Sequence, residues 1–222
     1  MITIYGVLRS RASRNVWLAH EAGLDFRHVP VIQVYRLAGP LAGPDAAYAP
    51  MHTASPAFLA VNPNAQVPTM TDGDLVLSES LAINLYLAKA HGGALGPASL
   101  AEDGQMAMWS LWAATGVEPH SISIFYNRFA KPLAERDATA ADVAEAALRA
   151  PFAVLDQALA ATGYLVGGRF TVADINVAEV IRYAVPAPAL FEANPRVKAW
   201  LAACQARPAF KRMWAERDAE PV

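Results

Sequence analysis

The side chains with most to offer chemically stand where the chain changes direction. Ser10 and Ser13 lie in the run Tyr5-Gly6-Val7-Leu8-Arg9-Ser10-Arg11-Ala12-Ser13, between a strand-like stretch and a helix-like one. A hydroxyl in such a turn sits beside the positive end of the following helix, a setting that favours negative charge. Glu79 and Ser80 open a second helical stretch. There a serine hydroxyl and unsatisfied backbone N–H groups attract a carboxylate, and Glu79 can take an ammonium. The same pair also favours helix initiation, so residue type alone leaves capping and binding both open. Cys204 is the single cysteine, which excludes an intrachain disulfide, a Cys-x-x-Cys pair and a cysteine-based metal site. Any thiol chemistry must borrow its sulfur. The histidines at 20, 28, 52, 91 and 120 lack His-x-x-x-His spacing, so no metal is expected.

These residues need elements to position them. The 222 residues are 55% hydrophobic, ample for a buried core. Eighteen basic against twenty acidic side chains, mixed along the chain, argue against nucleic acid or an anionic membrane as partner. No basic region leads into an apolar run at the N-terminus, and no apolar stretch reaches the roughly 20 residues a bilayer requires, so a cytoplasmic protein is expected. Residues 2–5 alternate as a short strand ending at Gly6; residues 13–22 read as a helix that Ser13 can cap and Gly23 can end. A second strand is expected over 26–34, a long loop over 37–56 and a short helix over 56–60. The turn Thr71-Asp72-Gly73-Asp74 joins strands 68–70 and 75–77, and a helix comes next over 79–89. Past Gly92-Gly93 and Pro97 the alternation disappears, and helices are expected over 101–129, 140–161, 171–183, 195–203 and 209–217. The domains therefore read as 1–88 and 99–222, joined by a linker at 89–98. Within the second, Thr171-Val172-Ala173-Asp174 spells a capping box, with Phe170 and Ile175 placed as a hydrophobic staple.

Four stretches, in order along nearly the whole chain, carry a resemblance: the Tyr5–Val16 opening, Asn62-Pro63 through Gln66-Val67-Pro68, Leu77-Ser78-Glu79-Ser80-Leu81-Ala82-Ile83, and Gly168-Arg169-Phe170-Thr171-Val172-Ala173-Asp174-Ile175. Together they are similar to the serine-type cytosolic glutathione transferases, with an opening like that of the phi and zeta types. The resemblance implies a thioredoxin-like βαβαββα domain followed by an all-helical bundle. It implies a detoxifying transferase that conjugates the thiol of glutathione, its co-substrate, to a small apolar or aromatic electrophile, and a homodimer.

It also implies roles for residues. Ser10 would donate a hydrogen bond to the glutathione thiolate, with Ser13 as competitor. Val67-Pro68 would form a cis-proline turn that pairs with the cysteinyl backbone, with Gln66 adding a side-chain contact; a trans proline simply starting a strand stays open. Glu79 and Ser80 would hold the γ-glutamyl end. His52, in the long loop, is the candidate for the glycine carboxylate. Trp109, Trp112, His120 and Tyr126, beside Ser121 and Phe125, would wall the electrophile pocket, although aromatic residues at helical spacing are as readily core. Two alternatives stay open: a non-catalytic binding or interaction module of the same fold, and a glutathione-dependent isomerase, from whose pattern Arg11 and Ala12 depart.

Overall fold

Four short β-rich runs build the sheet that carries the first half of the protein. In the computed structural model, which describes residues 1–38 and 51–220, β1 (Ile2–Tyr5) pairs in parallel with β2 (Phe26–Val29) and antiparallel with β5 (Thr69–Asp72). β5 in turn pairs antiparallel with β6 (Leu75–Ser78), giving the order β2-β1-β5-β6. The two-residue hairpin between β5 and β6 uses Gly73 at φ +57°, a left-handed position that glycine adopts without a Cβ penalty. Helices α1 (Ala12–Glu21) and α3 (Ser80–His91) pack together in this unit, and the short α2 (Pro56–Leu59) precedes β5.

Three sequence expectations change here. The strand expected over 26–34 breaks at Pro30, which has no N–H to give the ladder. Its second piece, β3 (Val31–Ile32), instead pairs with β4 (Met51–His52) in a separate two-stranded sheet. The expected loop over 37–56 is bounded by a 3-10 turn at Val34–Ala38 and by β4; its centre, 39–50, lies outside the described residues. Ser13 does not cap α1. It sits buried inside the first turn and its hydroxyl donates to the Ser10 carbonyl at 3.1 Å, while Arg11 occupies the cap position and its side chain does not cap the helix.

The helices of the second half are α4 (Leu100–Trp112), α5 (Glu118–Phe125), α6 (Ala138–Ala158), α7 (Val172–Ile181), α8 (Pro188–Ala193), α9 (Pro195–Ala206) and α10 (Pro208–Ala219). Among the described residues none is long and apolar enough to cross a membrane. The single helix expected over 101–129 carries two π-helical turns, Ala113–Val117 and Tyr126–Ala130. Pro119, just after the first, has no N–H to return to the preceding turn, so the regular ladder opens there.

The chain packs as two compact units: one holds Met1–Gly93 with Pro208–Val222, the other Ala94–Arg207. Pro208 interrupts the helical run after α9, and α10 returns to α1. There Trp17, fully buried, meets Phe210 edge-on at 5.0 Å, and His20 Nε2 lies 2.8 Å from Glu216 Oε2.

The helical unit is organised around Asp174. The capping box with Thr171 forms, and the Thr171 N–H donates to Asp174 Oδ2 at 2.9 Å. Oδ1 accepts from the Leu165 N–H at 3.2 Å and from Trp200 Nε1 at 2.9 Å. Burial pushes this carboxyl up, against the pull of those donors. At the start of α4, Arg169 grips Glu102 through both guanidinium nitrogens, at 3.0 and 2.7 Å, and the Ala98 N–H adds a bond at 2.8 Å.

Two outcomes are expected. Asp174→Ala strands three buried donors and lowers the unfolding free energy by about 3 kcal/mol, measured by urea denaturation. Glu102 is held down from 4.5 to about 2, first by its hydrogen bond to Arg169. A depressed carboxyl contributes stability above its unfolded value and loses it as pH falls through the folded one. Calorimetric melting between pH 4.5 and 2 therefore shows a decline to which this pair contributes, and Glu102→Gln removes that contribution.

Candidate functional site

Strand register decides which turns meet. Tyr5 of β1 lies opposite Thr69 of β5, and Thr69 lies opposite Ser78 of β6, so the three form one row across the sheet. The Gly6–Ser10 turn leaves the row after Tyr5, the Gln66-Val67-Pro68 turn enters it before Thr69, and the Glu79-Ser80 start of α3 leaves it after Ser78. All three segments thus emerge at the same sheet edge. Residues separated by almost seventy positions are gathered by period-2 pairing alone.

Gly6 sets how closely the first two turns approach. Its φ is +136°, and a Cβ built there would stand 2.9 Å from the Ala12 Cβ, 3.2 Å from the Val67 Cβ and 3.6 Å from Ser10 Oγ. Only a residue without a side chain fits this conformation and this gap. Ser10, half-buried, donates its hydroxyl to the Val7 carbonyl at 2.7 Å and accepts from the Ala12 N–H at 3.1 Å. The second bond polarises the hydroxyl towards donation.

The opposing turn is held by Asn62, whose amide donates to the Gln66 carbonyl at 3.0 Å and to Thr69 Oγ1 at 2.9 Å. The Val67–Pro68 peptide is cis, Gln66 is exposed and Val67 is half-buried. At the third segment Glu79 is exposed and held at φ +71° and ψ 107°, a region non-glycine residues avoid and that clusters at ligand sites. Ser80 is buried behind it. Its hydroxyl accepts from Arg14 Nη1 at 3.1 Å, and its carbonyl accepts from Asn15 Nδ2 at 2.8 Å. Asn15 Nδ2 also reaches Asn84 Oδ1 at 2.7 Å, and Asn84 returns a bond to the Arg14 carbonyl at 3.3 Å. Sequence reasoning missed Arg14, Asn15, Asn62 and Asn84. For Arg14, Asn15 and Asn84 the available signal was a polar or charged residue at a position that helical periodicity turns inward; Asn62, past the end of α2, carried no such signal.

The other expected residues belong to other elements. His52, in β4, is placed by the small sheet; its Nδ1 accepts from the Ala54 N–H at 3.2 Å, which leaves the ring proton on Nε2. In the helical unit Trp109 is buried and packs edge-on against half-buried Trp112 at 5.1 Å. His120 is half-buried, and Tyr126 is exposed beside Phe125. Ser121 is fully buried, its hydroxyl donating to the Glu118 carbonyl at 3.3 Å.

A mixed sheet with a cis-proline turn facing a serine-bearing turn, followed in sequence by a helical unit, defines a two-unit protein of the thioredoxin-like class. The family described as "Glutathione S-transferase, N-terminal domain" matches residues 10–90, and "Glutathione S-transferase, C-terminal domain" matches residues 109–208. Glutathione S-transferase 3 of Zea mays is 34% identical over 220 residues, covering 95% of this chain and 92% of that one. The crystal structure of the theta class glutathione S-transferase from Xanthomonas axonopodis pv. citri with glutathione bound is 33% identical, with a TM-score of 0.77 and 95% of each chain covered. Glutathione S-transferase I from maize, in complex with an atrazine glutathione conjugate, is 27% identical with a TM-score of 0.80 and 99% of each chain covered. The chain belongs to the glutathione S-transferase family.

Gly6→Ala tests the geometry of the edge. The added methyl meets Ala12 inside contact distance and the backbone loses its permitted conformation, so unfolding free energy falls by about 2–4 kcal/mol in chemical denaturation. Wild-type stability in this variant would show that the two turns are not in close contact.

Proposed function

We infer that this protein conjugates the thiol of glutathione to a small apolar or aromatic electrophile and that Ser10 activates the thiol. The observation that carries this reading is the meeting, at one sheet edge, of a serine hydroxyl, a cis-proline turn and an acid-serine helix start. Glutathione offers a complement to each: a thiol, a peptide backbone, and a γ-glutamyl end bearing an ammonium and a carboxylate. Ser80 already accepts from Arg14, so its own hydroxyl hydrogen is free to turn to the carboxylate, with the backbone at the start of α3 supporting it. Glu79 takes the ammonium. The backbone of Val67 pairs with the cysteinyl unit, and Gln66 adds a side-chain contact. His52, with its proton on Nε2, is a donor for the glycine carboxylate.

Ser10 then exchanges one acceptor for another. Its hydrogen swings from the Val7 carbonyl to the bound sulfur, while the Ala12 N–H continues to feed its oxygen. A hydrogen bond to the charged form lowers a thiol pKa from about 8.5, and each unit corresponds to about 1.36 kcal/mol. The thiol proton leaves to solvent. The thiolate attacks the electrophilic carbon, the C–S bond forms, and the displaced group leaves with its electron pair. We assign the electrophile to the aromatic side chains of the helical unit, Trp112, His120 and Tyr126, with Trp109 buried as support. Reaction in the reducing cytoplasm and assembly as a homodimer complete the proposal; Met108 and Leu111, 53% and 64% exposed on α4, are apolar surface of the kind a partner subunit covers.

The bond from Ser10 to Val7 also favours a second reading, a non-catalytic glutathione-binding module in which the hydroxyl never leaves its backbone partner. One titration separates the two. Glutathione is titrated calorimetrically into wild type and Ser10→Ala, and thiolate absorbance of the bound ligand is followed across pH. Ser10→Ala is expected to keep its affinity within about threefold, raise the bound thiol pKa by about one to two units, and lower kcat/KM by about 10- to 100-fold. Binding without thiol ionisation in wild type would establish the module instead.

A further inference from the structure

Glu220, just past α10, reaches the turn that carries Ser10. Glu220 Oε2 accepts the Leu8 N–H at 2.7 Å and the Arg9 N–H at 3.3 Å, although the partners are more than two hundred positions apart. The turn cannot satisfy these donors itself. Among the described residues no backbone carbonyl accepts either N–H, and the Val7 carbonyl, whose own peptide carries the Leu8 N–H, takes the Ser10 N–H at 3.0 Å and the Ser10 hydroxyl at 2.7 Å. Upstream, the Gly6 and Val7 N–H groups are taken by the Val29 and Val31 carbonyls, and His28 Nε2 lies 2.7 Å from the Gly6 carbonyl oxygen. From Gly6 to Ser10 the backbone donors are thus accounted for in sequence, and the two in the middle depend on Glu220.

The carboxylate is held for this contact. α10 is fixed to α1 by Trp17 against Phe210 and by the His20–Glu216 pair, with Arg212 on Glu216 at 3.0 Å. A cavity of about 580 Å³, lined among others by Leu8, His28, Glu216 and Glu220, lies beside it, while Glu220 Oε1 is itself buried. Burial pushes the Glu220 carboxyl up and the Leu8 N–H opposes that push, so the group is kept in place against a desolvation cost.

We propose that Glu220 is a positioning residue for thiol activation: from just past the end of α10 it pins the Leu8-Arg9 backbone and thereby aims the Ser10 hydroxyl. The proposal rests on Ser10 being the thiol-activating group. Because Ser10 Oγ belongs to the same five-residue turn, loss of the pin releases the backbone that sets its direction. A misplacement of about 1 Å at a reacting centre is enough to lower a rate by as much as about 100-fold.

The test uses the full chain, glutathione and a chlorodinitrobenzene electrophile, with kcat and KM measured for Glu220→Ala, Glu220→Gln, Ser10→Ala and the Ser10→Ala/Glu220→Ala double variant. Glu220→Ala is expected to lower kcat about tenfold while KM for glutathione stays within about twofold, because the aim of the hydroxyl changes and the binding groups do not. Glu220→Gln retains an oxygen that accepts both N–H groups and returns kcat to within about twofold of wild type. On the Ser10→Ala background the second substitution changes kcat by less than about twofold, since the group it aims is gone. Amide exchange at Leu8 and Arg9 quickens in Glu220→Ala.

Wild-type kcat in Glu220→Ala, failure of Glu220→Gln to recover, or multiplying losses in the double variant would each overturn the proposal. Should Glu220→Ala not fold, Glu220→Asp, shorter by one methylene, takes its place with the same expectations. If Ser10→Ala itself keeps wild-type kcat, the Ser10 assignment falls and this proposal with it. If Ser10→Ala is impaired and Glu220→Ala is not, this proposal alone falls.

Discussion

A buried polar network between the first turn of α1 and the start of α3 is the constraint on which the rest of the site depends. Arg14 is 1% exposed, and Asn15 and Asn84 are fully buried. Polar groups in such a place are costly unless bonded, so Arg14 to Ser80, Asn15 to Ser80 and Asn84, and Asn84 back to Arg14 together admit few alternative arrangements. The consequence is positional. α1 begins just after the Ser10 turn and α3 just after Glu79, so fixing one helix start against the other fixes the separation of the two segments.

Around this network the unit uses backbone geometry where side chains would interfere. Gly6 allows the first turn to approach Val67 closely, Asn62 holds the proline turn, and Glu79 carries its side chain outward from a backbone region that only a well-supported structure maintains. Strain at Glu79 is tolerable because Ser80, one residue on, is anchored on two sides. Glu220, just past α10, adds a further brace to the Ser10 turn, so that turn is supported from the sheet, from α1 and from the residue that follows α10.

The helical unit follows a different economy. Its anchor is a single carboxylate, Asp174, which caps α7, holds the loop at Leu165 and receives the indole of Trp200. The capping box was legible because it is a local pattern of four residues whose bonds stay within one turn. The π-helical turns on either side of α5 were less so, since they arise where a missing N–H meets packing on neighbouring helices, and residue type reports only the first of these.

The sequence by itself determined the short-range features: the opening strand, the hairpin at Gly73, the helix starts at Ser80 and Val172, and the absence of a cysteine that could replace the serine turn. Each depends on interactions within a few residues or on side-chain chemistry alone. Through resemblance it also pointed to Ser10, Val67-Pro68 and Glu79-Ser80 as a group. Tertiary structure decided what depends on distance in space. It removed Ser13 from the cap and buried it, split the second strand at Pro30, and turned Arg14, Asn15 and Asn84 into a linked core. It also carried the last helix back to the first unit, bringing Glu220 to Leu8. Local pattern can mark a break such as Pro30 or a polar residue turned inward but not its partner, because a buried donor or an unfilled gap selects its partner only once the sheet and helices have brought distant segments within hydrogen-bonding reach.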